Sequence, residues 1–426
     1  MQVISALSAL GVTILLALCR PRLGTVVIGP AFAAIAGVSF MTLAGHISLA
    51  DLGLASRVLW KPMVAIASIM VIAAAADRLG VISRLAETVI RAGSGSVKTL
   101  FLLVFCLSAF TAAILNNDSA ILVLTPAVIA MIRGFYPQEP GLLAPFAFAV
   151  FMAAGVAPLV TSNPINLIVS DVAKLDFNSY AVKMLPVSLA SAVASFLTLR
   201  WVFSAELGAA RPSRLAEAAA GPGRRPEKWS RAEKHGMILT LAILGAYPVV
   251  EYFDGTVWIV ALSGAIAACA LCVHHEATTP RFLIINGVAW QVLIFLFGVY
   301  LIALGLRSAG VVEWLVAVYT PPGIAVIGTV SAAGSALINN HSMALINIVA
   351  IEELPGEKHT VEFLAALIGG DLGPRLLPIG SLAGLLWYAA LERLNVHVPI
   401  LQFIKTGAIV TVPSLATALI VLAFVT

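Results

Sequence analysis

Nearly the whole chain is built of apolar runs long enough to cross a lipid bilayer. They lie at 2–18, 24–45, 59–76, 143–170, 181–203, 235–253, 257–273, 282–306, 361–390 and 400–424. A bilayer core asks for about 20 apolar residues per helix. Two longer runs, 99–133 and 322–350, carry a polar tip in the middle, the pattern of a helical hairpin that enters the membrane and turns back. Composition agrees: 60% of the 426 residues are hydrophobic and 11% charged, where a soluble domain usually carries about 25% charged residues. Lipid must cover the surplus apolar surface. The net charge of +4 is too mild to suggest nucleic acid as a partner. Met1 to Leu18 holds no Lys or Arg, so this run is read as a first span and not as a cleaved signal peptide. Four cysteines, Cys19, Cys106, Cys269 and Cys272, sit in or beside apolar runs and outline no disulfide framework.

Charge sets the orientation. The longest polar segment, 204–234, contains Arg211, Arg214, Arg224, Arg225, Lys228, Arg231 and Lys234. It reads as a flexible basic linker on the cytoplasmic side, because short loops rich in Lys and Arg stay inside. Segments 19–23, 77–98, 133–142, 274–281 and 391–399 then fall inside with it, and 46–58, 171–180, 254–256, 307–321 and 351–360 fall outside. That arrangement leaves 18 Lys/Arg inside and six outside, with Arg375 in a span. Both termini are expected outside, and the two hairpins enter from opposite faces.

The hairpin tips resemble each other. One reads Ala113-Ile-Leu-Asn116-Asn117-Asp118-Ser119, the other Ala336-Leu-Ile-Asn339-Asn340-His341-Ser342, and the shared Asn-Asn-x-Ser elements are 223 residues apart. Each tip is followed by a span interrupted by Gly or Pro. The first interruption is Pro158-Leu-Val-Thr161-Ser162-Asn163-Pro164-Ile-Asn166; the second runs Gly369-Gly370-Asp371-Leu-Gly373-Pro374-Arg375 through Pro378-Ile-Gly380-Ser381. Paired interruptions at corresponding places point to an inverted-repeat carrier with its site near the membrane midplane. Unwound backbone in lipid leaves N–H and C=O groups unpaired, so it persists only where it lines protein or a watery cavity. A single membrane Asn is more often interhelical glue than a ligand group, but its repetition at both tips favours a site. The expected fold is therefore an all-α polytopic membrane protein with two inverted repeats, about ten transmembrane helices, two re-entrant hairpins and two broken helices. Residues 1–203 form one repeat, 204–234 the linker and 235–426 the other.

These motifs resemble the arsenite/antimonite efflux permeases (ArsB type) of the ion-transporter superfamily. The resemblance rests on Leu115-Asn-Asn-Asp118 with Leu122-Val-Leu-Thr125-Pro126, on Thr161-Ser-Asn-Pro-Ile-Asn166, and on Gly370-Asp-Leu-Gly-Pro374 through Pro378-Ile-Gly-Ser-Leu-Ala383. Thr406-Gly407 and Pro413 fit as well, and the similarity runs from about residue 20 to the C-terminus. Two positions depart from the family pattern: His341 stands where an apolar residue followed by Pro is more usual, and Arg375 replaces the more usual Lys.

The resemblance implies secondary active efflux of arsenite and antimonite across a bacterial cytoplasmic (inner) membrane, by proton-coupled antiport with alternating access. It also admits a soluble ATPase subunit as partner, since the chain itself has no P-loop; a homodimer is left open, and no cofactor is expected. Arsenite at neutral pH is essentially an uncharged trihydroxide, a solute that Asn side chains suit as both donors and acceptors. The expected binding groups are Asn116, Asn117, Ser119, Thr161, Ser162, Asn163, Asn339, Asn340, Ser342 and Ser381. Proton coupling needs a titratable group in the pocket, and Asp118, Asp371 and His341 qualify, Asp118 first because it adjoins the tip. Asp171 is read as a boundary residue. Arg375 stands one helical turn after Asp371, so a structural ion pair is the competing reading for Asp371. Cys269 and Cys272 share a helix face, but tight thiolate ligation opposes release, and free Cys is a common apolar filler.

The alternative within this class is a cation/proton antiporter or an organic-anion carrier of the same superfamily, the latter wanting more fixed positive charge than Arg375 supplies. An enzyme is disfavoured: the sequence has no His-Glu-x-x-His, no Gly-x-Ser-x-Gly and no paired metal-ligand motif.

Overall fold

With lipid outside, backbone polar groups must find partners within the chain, and a helix does this locally. The computed structural model is accordingly helical nearly throughout. It describes all residues except 1, 20, 21, 24, 25, 28, 94, 95, 210–227, 254, 357 and 358, and all their side chains except those of 2, 18, 19, 22, 23, 26, 27, 90, 91, 118, 119 and 382. A two-residue antiparallel ladder, Arg22–Leu23 against Val26–Val27, is the one departure from all-α among the described residues.

By length and composition, seven helices can cross a membrane: Leu49–Arg78, Val97–Ile114, Phe177–Val202, Arg231–Tyr252, Val257–His274, Trp290–Ser308 and Ile400–Val425. Gln2–Cys19 and Pro30–Leu43 occupy the first two expected runs. Leu49–Arg78 starts ten residues before the expected span at 59. Ser48 and Asp51 explain the difference, since they form a reciprocal capping box: Asp51 N donates to Ser48 Oγ at 3.2 Å and Ser48 N to the Asp51 carboxylate at 2.8 Å. The segments 77–98 and 307–321, expected as loops, hold the short helices Val81–Gly93 and Val312–Tyr319. In the first of these, Val81, Ile82 and Ala86 are buried while Glu87 and Thr88 face out. The ends of the 204–234 segment are helical, Ser204–Ala209 and from Arg231 onward, and 210–227 lie outside the described residues.

Both polar-tipped runs are helical hairpins, Val97–Ile114 with Asn117–Phe135 and Ile324–Ile338 with Asn340–Glu352. Both interrupted spans are broken, Leu143–Ala153 from Pro164–Val172 and Thr360–Leu372 from Leu382–Arg393. Proline supplies no N–H and clashes with the preceding turn, so the α-helix does not continue through Pro374, while Pro164 and Pro378 stand at the first position of restarting turns, where a missing N–H costs nothing. Capping restarts them. Asn163 Oδ1 accepts from Ile165 N at 3.3 Å, and Ser381 Oγ from Gly384 N at 3.0 Å.

Packing repeats with the halves exchanged. The first arm of each hairpin lies on the first half-helix of its own half, Val97–Ile114 on Leu143–Ala153 and Ile324–Ile338 on Thr360–Leu372. The second arms cross over, Asn117–Phe135 to Leu382–Arg393 and Asn340–Glu352 to Pro164–Val172. Likewise Pro30–Leu43 packs on Trp290–Ser308 and Leu49–Arg78 on Val257–His274. Small residues permit the closest approach: a Cβ on Gly369 or Gly373 would run into the backbone carbonyl of Gly328 or Ala332. Phe177–Val202 and Ile400–Val425 lie together, joined by Ser195 Oγ and Ser414 Oγ at 2.8 Å.

Candidate functional site

The break in the first half is unwound backbone, and its polar groups find partners one by one. Ser188 Oγ donates to Val156 O at 2.7 Å, and Tyr180 Oη to Ala157 O at 3.1 Å. Tyr180 Oη in turn accepts from Asn166 Nδ2 at 2.7 Å. Ser162 Oγ donates to Ala113 O at 2.6 Å, tying the break to the end of the first hairpin arm. The remaining partners come from the other half. Asp371 Oδ2 accepts from Ala157 N at 3.0 Å, and its Oδ1 from Asn163 Nδ2 at 2.7 Å. Arg375 Nη1 donates to Ser195 Oγ at 2.9 Å, and Nη2 donates to Met152 O. That carbonyl lies at the C-terminal end of half-helix Leu143–Ala153, where a cation is favoured.

Asp371 and Arg375 therefore do not pair with each other as their spacing suggested; among the described residues no ion pair joins them. The α-helix ends at Leu372 and Gly373–Arg375 forms a 3-10 turn, so residue 375 is not one α-turn above residue 371. Each side chain reaches the opposite break instead. Both are buried, Asp371 at 6% and Arg375 at 2% exposure. Gly155 and Gly407 make room: a Cβ on the first would meet the Arg375 guanidinium, and on the second the Arg375 carbonyl oxygen.

The expected binding residues separate into two groups. Ser162, Asn163 and Ser381 are engaged in holding the breaks, as the bonds above describe. Asn116, Thr161, Asn339, Asn340 and Ser342 are buried at the tips and the first break. Asn339 turns the second tip with φ at 76° and ψ at 143°, a combination outside the left-handed helical region that L residues seldom adopt. Thr161 Oγ1, Ser342 Oγ and His341 Nε2 are buried with no protein hydrogen-bond partner. Buried polar atoms are usually paired, so these three, at the first break and the second tip, suit groups kept for a ligand or water. Asn117 borders a cavity of about 310 Å³ with Arg375, Gly155 and Pro158. The side chains of Asp118 and Ser119 lie outside the described residues. Asp171 is exposed at the end of Pro164–Val172, in a vestibule of about 590 Å³ that also holds Lys61 and Glu251. Leu167 is a common wall between that vestibule and a cavity of about 170 Å³ lined by Asn116 and Thr161. Cys272 is buried between Val257–His274 and Leu49–Arg78, its Sγ 3.9 Å from Ala75 O, and borders none of these spaces.

Sequence reasoning missed Tyr180 and Ser188 as partners of the first break, and Ser195 as the partner of Arg375 from the second. A faint signal existed: Ser188, Ser191 and Ser195 recur on one face of an otherwise apolar helix. Nothing local marks them as belonging to a break elsewhere in the chain.

The fold is that of known transporters. A solved structure of the Alcanivorax borkumensis YdaH transporter matches with a TM-score of 0.56 at 17% identity, over 99% of this chain and 97% of that one. Neisseria gonorrhoeae MtrF, described within a class of antimetabolite efflux pumps, matches with a TM-score of 0.56 at 12% identity, over 98% and 94%. Sequence relatives are more specific. The arsenical pump membrane protein of Escherichia coli is 30% identical over 422 residues, 96% of each chain, and that of Yersinia enterocolitica is 30% identical over the same share. The family model described as arsenical pump membrane protein, ArsB, matches residues 6–425. With its relatives bacterial and its helices apolar, this is a multi-pass protein of the bacterial inner membrane. The chain belongs to the ArsB family of arsenical pump membrane proteins.

Proposed function

We propose that the chain exports the neutral trihydroxides of trivalent arsenic and antimony from the cytoplasm in exchange for protons, by alternating access between two inverted halves, 1–203 and 235–426. The observation that carries this reading is the Asp371 clasp, a buried carboxylate of one half accepting from Ala157 N and Asn163 Nδ2 of the other. An ionised carboxylate accepts both bonds. A protonated one turns an acceptor into a donor, which leaves one of the two N–H groups without its partner. Proton binding thus favours an arrangement in which the two breaks separate. A trihydroxide held by Asn116, Thr161, Asn339, Asn340 and Ser342 would bias the same elements, and two ligands that favour different arrangements of one element are coupled. The proton is placed on Asp371 because its partners bridge the halves.

The organic-anion alternative would use Arg375 as its fixed charge. Arg375 bonds Ser195 and Met152 through its two Nη groups and keeps only its buried Nε without a protein partner, one N–H where an anion is usually gripped by a pair, which favours a neutral substrate. The test is arsenite uptake into everted membrane vesicles under an imposed pH gradient. Uptake should follow the gradient and collapse with a protonophore. Uptake indifferent to the gradient, or absent with the protein well expressed, would overturn the reading.

A further inference from the structure

Two spaces of unequal size meet at Leu167. One is the vestibule, on the face that the charge bias assigns to the exterior. Lys61, Asp171, Glu251 and Thr256 line it with donors and acceptors. About 160 Å³ of it is open to water-sized solutes. An apolar cavity of about 150 Å³ is known to hold benzene, and a trihydroxide has fewer heavy atoms, so the vestibule has room for one as it stands. The other space is bordered by Asn116 and Thr161, and only about 10 Å³ of it is open, about one water. Leu167 is 6% exposed, and its half-helix Pro164–Val172 lies against Leu49–Arg78. Pro62 and Ala65 of that long helix border the vestibule, and Ile66, Ile69 and Met70 border the inner space. An apolar seam at Leu167, Ala65 and Ile66 therefore separates the two. Such a constriction excludes a polar solute because it leaves the hydroxyls unpaired. The half-helix that carries Leu167 is held at its start by the bond from Asn163 to Asp371 and by that from Asn166 to Tyr180. The wall is thus mounted on the element that the Asp371 clasp holds.

We infer that Leu167 is the outer gate of the transport route, and that the trihydroxide leaves the Asn116–Thr161 site past this side chain into the vestibule, its exit chamber. The inference rests on the arsenical-export reading for the cargo and adds to it the residue that separates bound cargo from the exterior.

The experiment reads access to each space directly. In a background with Cys19, Cys106, Cys269 and Cys272 replaced by Ala, Thr256→Cys marks the vestibule and Thr161→Cys marks the space beyond the seam. A small membrane-impermeant cationic methanethiosulfonate is applied to the outer face of spheroplasts. Thr256→Cys should react at one rate whichever residue stands at 167, which also reports that each variant is folded in the membrane. Thr161→Cys should react slowly beside the native Leu167, faster beside Leu167→Ala by roughly tenfold, the effect of lowering a barrier by about 1.4 kcal/mol, and more slowly still beside Leu167→Trp. In the chain without added cysteines, Leu167→Trp should lower the maximum rate of arsenite uptake into everted vesicles by a similar factor. Thr161→Cys labelling indifferent to residue 167, or arsenite uptake unchanged in Leu167→Trp, would overturn the gate and leave the export reading standing. Thr256→Cys reacting only from the cytoplasmic face would also overturn the gate. Labelling that follows residue 167, with no arsenite uptake by the wild-type chain, would support the gate and overturn the export reading.

Discussion

Asn163 and Asp371 lie 208 residues apart in sequence and 2.7 Å apart in space, the amide Nδ2 of the first donating to the carboxylate Oδ1 of the second. Asn163 also caps the half-helix Pro164–Val172 through its Oδ1. One amide therefore restarts a helix in one half while holding the break of the other. Loosening that bond frees a helix terminus and a half-to-half contact together, a combination suited to a moving element.

Asp371→Asn should abolish gradient-driven arsenite uptake while arsenite binding persists. The carboxamide has one oxygen for two N–H donors, so a fold cost of about 1–3 kcal/mol is also expected. Membrane level should fall by less than uptake. Adding Asn163→Asp, which returns a carboxylate to the contact from the other side, should restore level more than coupling. Vesicle flux and immunodetected protein together check both parts.

Asp118→Asn provides the comparison that places the proton. If Asp371 carries it, Asp118→Asn keeps gradient-driven uptake. Lost coupling in Asp118→Asn with wild-type coupling in Asp371→Asn would move the proton to the first tip, where the spacing of the sequence first suggested it.

Gly407→Ala should be far worse tolerated than Gly155→Ala. The added methyl meets a backbone oxygen, that of Arg375, in the first case and the end of the Arg375 side chain in the second. A side chain can shift, whereas backbone held in the break cannot shift without losing its bonds. Thermal midpoints of the detergent-purified variants should rank wild type, Gly155→Ala, then Gly407→Ala.

Replacing Cys269 and Cys272 together by Ala should leave arsenite uptake near wild type. Cys272 is packed in a helix interface and Cys269 is half-buried beside it. Loss of uptake at normal membrane level would move the ligands from carboxamides to thiols.

Asp176 caps Phe177–Val202 outside the membrane. Burial opposes its charge, but the bonds it accepts from Ser179 N and Oγ, each 2.6 Å, hold its carboxyl below the usual range. A depressed carboxyl contributes stability above its unfolded value of about 3.9, and that stability is lost as pH falls through the lower folded value. Asp176→Ala should cost roughly 0.5–1 kcal/mol at neutral pH. The gap between mutant and wild-type melting should close on acidification below about pH 4.

The sequence by itself determined the solvent, the helices, the two hairpins and the two breaks. These follow from local facts: runs of apolar residues, Pro without an N–H, and Asn or Ser able to cap a restarting helix. Helix starts were less legible where a capping box, such as Ser48 with Asp51, extends an apolar run into polar sequence. The tertiary structure alone decided where Asp371 and Arg375 point. Their spacing suits an α-turn, and the pairing fails because the backbone between them tightens at Gly373. It also decided that Ser188 and Tyr180 serve the first break and Ser195 the Arg375 of the second, each more than twenty residues away in sequence. The reason is general: a backbone group without a local partner must take whatever donor or acceptor packing brings near, and which helix arrives there depends on the whole bundle.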